Sequence, residues 1–477
     1  MFEAKYACTY DLFSSIPAND SSKTVTDEIF SWNKLLKTSS HARLVHNCRA
    51  INKPGYELTR KQIHTIERIA LMPERILGKS TIESHFDNDF FQSNFWLMWS
   101  STFAFQPWHS AVEFKRYLSR FIHMVPGFNQ LHGIMRTVYN QYDSMVRPLQ
   151  KWLLQRGVRV EFESTVTDLT LCKGAEESFV EKIFVMRGKQ TSEIVLKRKD
   201  LVIVTLGSMT ESSSLGDNAR PAPLIDGSNQ GSWGLWKRIA AGHREFGRPQ
   251  TFADHIDQSK WISTTTTLRS HRFLNFLRDF TGNVPGEGGL ITLTSSNWLL
   301  SLVLPHQPHF IGQPIDIDVF WAYGLRVDAL GNFVRKPMHS CSGREIFSEM
   351  MQHLGLDPDV QQGLLRDSVT IPCMIPFITS QFLPREPGDR PQIRPNGWVN
   401  LAFVGQFCEQ PEDTVFTVEY SIRSAATAVY TLLDLDREPP PVYQGQYHLS
   451  VLRAALKELS AGVKPNSGIQ IDEAAYG

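Results

Sequence analysis

Paired cysteines are missing from this chain. Its 6 cysteines (Cys8, Cys48, Cys172, Cys341, Cys373, Cys408) stand singly and no C-x-x-C occurs. That excludes the common zinc-ribbon and thioredoxin-type signatures, so no metal site is read, and it suits reduced, structural thiols in a reducing compartment. Excess charge of either sign is missing too, since 49 Lys and Arg balance 49 Asp and Glu. A neutral chain carries no electrostatic footprint for nucleic acid, which is excluded as the main partner. The opening MFEAKYACTYDLF has no basic stretch followed by an apolar one, as a secretory signal would. No apolar run approaches the roughly 20 residues that cross a bilayer. The expectation is a soluble, cytoplasmic protein. One further absence concerns glycine: no G-x-G-x-x-G opens a helix after a strand near the start. The nearest look-alike, Gly286-Glu287-Gly288-Gly289, precedes a strand instead.

What is present belongs to a globular protein. The chain has 477 residues, enough for two to four domains, with 42% hydrophobic and 21% charged residues. KTVTDEIFSWNKLL predicts a helix capped by Thr24 or Thr26. RKQIHTIERIALMPERIL predicts another, with Ile63, Ile66, Ile69 and Ile76 on or near one face. Between residues 86 and 108, 9 positions are aromatic, and Phe91, Phe95, Trp99 and Phe103 recur at i, i+4. Such a stripe is either plain core or the wall of a long apolar pocket. HSAVEFKRYLSRFIHMV and SMVRPLQKWLLQRG predict helices, the second closed by Gly157. VRVEFESTVTDLTL alternates as a strand does.

Three segments suggest a nucleotide site. GVRVEFESTVTDL runs from a helix end through Gly157 into a strand. DLVIVTLGS is a buried apolar run ending in Gly-Ser, and a long Gly-, Ser- and Pro-rich loop (207–234) follows it. NLAFVGQF ends in a glycine that allows close backbone approach. The helix after it, with Thr417, Glu419 and Ser421 in its first turn, offers free N–H groups to an anion. Each segment alone is ordinary α/β content. Their order suggests a large flavoprotein-like fold whose diphosphate-binding turn is absent.

Longer strings then resemble one family over nearly the whole chain. FWLMWSSTFAFQPWHSAVEFKRYLSRFIH, YNQYDSMVRPLQKWL, LGSMTESSSLGD, HIDQSKW, SNWLLSLVLPHQPHF and NLAFVGQFCEQPEDTVFTVEYSIRSA are similar to oleate hydratases, the myosin-cross-reactive antigen family. TYDLFSSIP and PPVYQGQY match as well. The resemblance implies hydration of the cis double bond of a long unsaturated fatty acid, with FAD bound and no net redox. It also implies a Gly-rich segment ahead of Met1-Phe2-Glu3 that this sequence lacks.

The resemblance implies site residues one by one. Met1 aligns with a Glu held to activate water, and Met98 with a Tyr held to protonate the alkene. Glu3 is the nearest carboxylate to the first position, although an exposed terminal residue is the plainer expectation for it. Trp96 and Trp99 could lend π density to a cation-like transition state, or simply pack. For the fatty-acid carboxylate, His309 matches a family His, while Val303 and Pro305 stand where Thr and Asn are usual. His306, Gln307 and Thr379 complete the substrate-binding candidates. The FAD candidates are Val166, Gly207, Ser208, Met209, Gly405, Gln406, Phe407 and Ser421, acting mostly through backbone.

The expected fold is α/β: an incomplete, flavoprotein-like three-layer nucleotide-binding domain with a lipid-binding domain and a helical C-terminal segment. Its expected division is 1–85 (N-terminal helical part), 86–156 (aromatic-rich, lipid-binding), 157–234 (FAD-domain strands and loop), 235–395 (substrate-binding), 396–436 (final FAD-domain strand and helix) and 437–477 (helical tail). An unsaturated fatty acid is the expected partner. Peripheral membrane contact and a homodimer remain open alternatives. Two rival readings are a catalytically inactive lipid-binding relative and a flavin-dependent oxidoreductase.

Overall fold

The computed structural model describes residues 2–20, 22–174 and 177–463. Met1 and the last 14 positions of the expected tail (464–477) lie outside the described residues.

Helix boundaries follow local chemistry. Val25–Leu35 starts at Thr24, whose side chain accepts from the Asp27 N–H while Asp27 reaches back, a reciprocal capping box. Thr59 and Gln62 do the same for Arg60–Leu71, which buries Ile63, Ile66 and Ile69. The expected single helix through Ile76 is corrected here. Pro73 ends the pattern, a short helix Glu74–Leu77 restarts beyond it, and Ile76 is 63% exposed. The aromatic helix is Asn94–Phe103, capped by Ser93, so Phe91 sits in the 3-10 turn Asn88–Gln92 before it. Ala111–Phe121 likewise ends earlier than its pattern, passing into the tighter turn Ile122–Gln130. The strand expected from residue 158 begins only at Ser164.

The largest sheet has eight strands and is mixed. Its order is Arg49–Asn52, Ala42–His46, Leu290–Leu293, Ser301–Val303, Asp318–Gly324, Trp261–Leu268, Ser368–Ile375 and Ser214–Leu215. All neighbours run antiparallel except Ala42–His46 beside Leu290–Leu293. The main core lies between this sheet and the N-terminal helices and holds the aromatic segment. Trp99 stacks on Phe95 at 5.5 Å and meets Phe103 at 4.8 Å and Phe114 at 5.4 Å, an offset and edge-to-face network.

A second core forms around two parallel strands, Val202–Thr205 and Leu401–Val404. Helix Val418–Leu432 packs on the second of them, and Ser424 Oγ accepts the Gly405 N–H at 2.9 Å. A three-stranded antiparallel sheet (Ser164–Lys173, Ser178–Arg187, Gln190–Val195) lies beside helix Gly231–Ala240. The architecture is thus mixed α/β, with its parallel pair drawn from segments about 200 residues apart. The first strand, Phe2–Glu3, pairs antiparallel with Ile134–Met135 and ties the start of the chain into the main core.

Candidate active site

That two-stranded ribbon fixes the site. Phe2–Glu3 places Glu3 inside the protein, 3% exposed, which corrects the expectation of an exposed terminal carboxylate. Glu3 Oε1 lies 3.0 Å from His123 Nε2 and Oε2 lies 3.5 Å from Arg120 Nη1. The Tyr10 hydroxyl donates to the Glu3 carbonyl at 3.1 Å. Each carboxylate oxygen has two acceptor sites, so these contacts leave room for a water. Glu3 faces a cavity of about 240 Å³ walled by Phe2, Tyr6, Thr102, Phe103, Tyr117 and Phe416–Val418. The Tyr117 hydroxyl is engaged by the Val415 carbonyl at 2.6 Å. The Tyr6 hydroxyl makes no hydrogen bond among the described residues. Burial raises the Tyr6 pKa, so it keeps its proton at working pH.

Phe2 and Gln141 also line a second cavity, of about 420 Å³. Its walls include Trp32, Arg136, Val303, Pro305, His306, His309 and Trp321. Burial pushes His309 down to about 4, against the pull of Asp143 and with help from Arg136. Burial lowers His306 as well. Both rings are therefore neutral near pH 7. The two cavities share Phe2 and Gln141 as wall residues; a carboxylate, Glu3, lines the first, and Arg136, His306 and His309 line the second.

The remaining substrate candidates stand apart from these two cavities. Gln307 is taken up by its own loop: its amide donates to the Val319 carbonyl at 2.7 Å and its carbonyl accepts from Val319 N–H at 3.1 Å. Thr379 is buried, with Oγ1 donating to the Ser259 carbonyl at 3.0 Å. Met98, Trp96 and Trp99 are buried in the aromatic core and line neither cavity. Their helix reaches the first cavity one turn later, through Thr102 and Phe103.

A family model described as the MCRA family matches residues 1–430. This chain belongs to the MCRA family. It is 37% identical over 472 residues to an oleate hydratase of Streptococcus pyogenes serotype M49 (strain NZ131), covering 96% of this chain and 79% of that protein. It is 31% identical over 453 residues to a linoleate hydratase of Lactiplantibacillus plantarum, covering 89% and 79%.

The FAD candidates of this MCRA chain fall in two places. Gln406 Nε2 donates to the Thr417 carbonyl at 2.9 Å and Ser421 Oγ at 2.7 Å, and its carbonyl oxygen accepts the Phe416 N–H. Gln406 and Ser421 thus brace the Phe416–Val418 wall of the Glu3 cavity, beside Gly405. Val166 lines a separate open groove with Val202–Thr205, Glu211 and Ser232. Phe407 is core, packed on Trp233 at 4.7 Å. Met209 bridges the two cores. Gly207 has φ +59, and a Cβ there would meet Trp233 at 2.7 Å, so packing alone requires glycine. The Ser208 carbonyl accepts from Trp233 Nε1.

A diphosphate fits poorly among these residues. The N-terminal turn of helix Val418–Leu432 is capped by Thr417, which accepts the Tyr420 N–H, and its Glu419 carboxylate takes the Cys8 N–H at 2.9 Å and Thr9 N–H at 2.8 Å at the start of helix Ala7–Phe13. No G-x-G-x-x-G opens a helix among the described residues, and where glycines do open one, at Gly231–Ala240, the Glu211 carboxylate already takes the Ser232 N–H at 3.2 Å. The walls beside Phe416 and Val166 suit the flat ends of a dinucleotide, and nothing described cradles its centre.

Sequence reading passed over Tyr6, Arg120, His123 and Arg136. Arg136 alone left a signal: it is the lone Lys, Arg, Asp or Glu between residues 121 and 142.

Proposed function

We propose that this chain adds water across the cis double bond of an unsaturated long-chain fatty acid, giving a hydroxy fatty acid, as a hydro-lyase of the oleate hydratase type. One observation carries the reading: Glu3, a buried carboxylate, lines an aromatic cavity that shares wall residues Phe2 and Gln141 with a second cavity lined by basic groups. Adjoining cavities of that kind suit an amphiphile laid across both, with its alkene beside Glu3. The names of the two relatives favour the same substrate class.

In this scheme Glu3 takes a proton from a water as its oxygen bonds to one alkene carbon. Tyr6 gives its phenolic proton to the other carbon, and the proton held on Glu3 returns to Tyr6 through solvent in the cavity. The balance is one alkene plus one water to one alcohol. Phe103 and Tyr117 belong to the same wall, and π density beside the alkene lowers the energy of a cation-like transition state. Neither Met98 nor Trp96 is needed for these steps.

FAD is the cofactor the family resemblance implies, and when bound it supplies a flat, electron-rich surface without net redox. Gln406 and Ser421, behind the Phe416–Val418 wall, are its nearest supports in this reading, and no step runs through it. The finer fold assignment follows the same reasoning: the Val202–Thr205 and Leu401–Val404 pair, with helices packed about it, is the remnant of a layered nucleotide-binding domain.

The test is direct. The purified chain, with and without FAD, is incubated with oleate, and lipids are analysed by mass spectrometry. A product heavier than oleate by one water supports the reading. Oleate bound but unchanged under both conditions favours an inactive lipid-binding relative, and flavin bleaching during turnover favours an oxidoreductase.

A further inference from the structure

Arg136 directly follows strand Ile134–Met135, the partner of Phe2–Glu3. The same ribbon therefore sets Glu3 into one cavity and Arg136 into the other. The Arg136 backbone is clamped by one side chain: its N–H donates to Asn33 Oδ1 at 2.9 Å and its carbonyl accepts from Asn33 Nδ2 at 2.8 Å. Its Nε and Nη2 are buried and have no hydrogen-bond partner, and it forms no ion pair among the described residues. Arg120 and Arg390 also have unpartnered buried nitrogens, but each forms an ion pair, and Arg43, Arg116 and Arg385 are satisfied. Arg43 donates to the Phe128 carbonyl at 2.9 Å and Thr102 Oγ1 at 2.8 Å. Arg116 and Arg385 sit 2.9 to 3.0 Å from carboxylates of Glu409 and Glu113.

A buried guanidinium without a partner is costly, and native proteins seldom leave one so. Arg136 itself is part of the wall of a cavity whose other walls include Trp32, Val303, Pro305 and Trp321. Asp143, which with Arg136 acts on His309, is already committed to Asn140 at 2.7 Å, the Ile311 N–H at 3.2 Å and Arg147 at 3.7 Å. His306 and His309 supply hydrogen-bonding groups but no charge near neutral pH. Arg136 stays cationic even though burial lowers it to about 10.

We propose that Arg136 holds the carboxylate of the acyl substrate, in the cavity adjoining the one that Glu3 lines. This rests on the fatty-acid reading above and assigns its head-group contact to a residue other than the two histidines. A planar guanidinium fork matches a carboxylate in two parallel hydrogen bonds, and the apolar walls beyond it match a long tail. The ligand class is a monocarboxylate amphiphile. His306 and His309 then serve as neutral neighbours that shape the mouth.

The test separates head from tail. Binding of oleate and of oleyl alcohol to the full chain is measured by calorimetry, for the wild type and for Arg136→Met, Arg136→Lys, His309→Gln and His306→Gln. Losing a charge-assisted contact weakens oleate by about 10-fold or more. Arg136→Met is expected to show that loss while oleyl alcohol binds as before. Arg136→Lys, which keeps the charge without the fork, is expected to fall between. The histidine variants are expected to lose less than Arg136→Met. Equal loss for acid and alcohol in both Arg136 variants, no loss in either, or a larger acid-selective loss at His309, overturns the assignment. Because binding is read without turnover, an inactive chain that still shows the Arg136 selectivity defeats only the hydratase reading. Product formation with no such selectivity defeats only this one.

Discussion

His123 Nε2 sits 3.0 Å from Glu3 Oε1, joining the turn Ile122–Gln130 to the first strand of the chain. The other ring nitrogen, Nδ1, is buried without a hydrogen-bond partner. The ring thus has one strong polar contact, and that contact orients the carboxylate facing the cavity. His123→Ala should lower kcat by about tenfold, the smaller end of what positioning a general base is worth, with little change in KM. Steady-state hydration of oleate checks this. A raised KM at unchanged kcat would move His123 from Glu3 to the substrate.

Gln141 borders both cavities. A bulky ring there should part them. Gln141→Trp is expected to weaken oleate by about tenfold and to spare a short acid such as octanoate, which needs only the Arg136 end. Competition binding with both acids reads the difference.

Trp99 decides between two roles. Its ring is locked among Phe95, Phe103, Phe105, Phe114 and Phe128 and lines neither cavity of the site. Trp99→Ala should destabilise the protein by about 3–5 kcal/mol, the usual range for deleting a large buried aromatic. Denaturant unfolding measures it. Trp99→Phe, which keeps most of the packing, should hydrate oleate at close to the wild-type rate. A large rate loss in a stable Trp99→Phe protein would restore an electrostatic role.

Glu113 anchors the helix Ala111–Phe121, which carries Tyr117 and Arg120. It is fully buried, 3.0 Å from both Arg385 and Arg390. Burial pushes its carboxyl up, but Arg390, Arg385 and Arg116 outweigh that and hold it at about 2. A folded-state pKa below the ordinary carboxylate value means stability present above about 4.5 and lost as pH falls toward 2. Denaturation midpoints should therefore drop across that window, and less steeply in Glu113→Gln. At neutral pH Glu113→Gln should lose about 3–5 kcal/mol, because three arginines are left short of a buried counter-charge.

The residues show how far sequence carried. Thr24, Gly157 and the buried runs around Val202 and Leu401 announced their elements, because caps and apolar periods are local. Pro73 was legible too, yet a strong apolar repeat outweighed it and Ile76 was misplaced. Glu3 read as an exposed end, since nothing local foretells that residues 2–3 pair with residues 134–135. Resemblance led to His306 and His309, both of which line the second cavity, and to Gln307 and Thr379, which do not. Arg136 left a signal, its isolation among uncharged residues, that is ambiguous on its own. A single arginine in an uncharged stretch looks like a surface residue until the fold encloses it and leaves it unpaired.

The central claim is that Glu3 activates the water that adds to the alkene. Glu3→Gln keeps the shape and removes the base. With oleate and FAD in 18O-labelled water, the wild type is expected to place one labelled hydroxyl on the chain. The variant should bind oleate normally and form product at least about 100-fold more slowly, as the loss of a general base implies. Labelled product from Glu3→Gln at the wild-type rate would contradict the account.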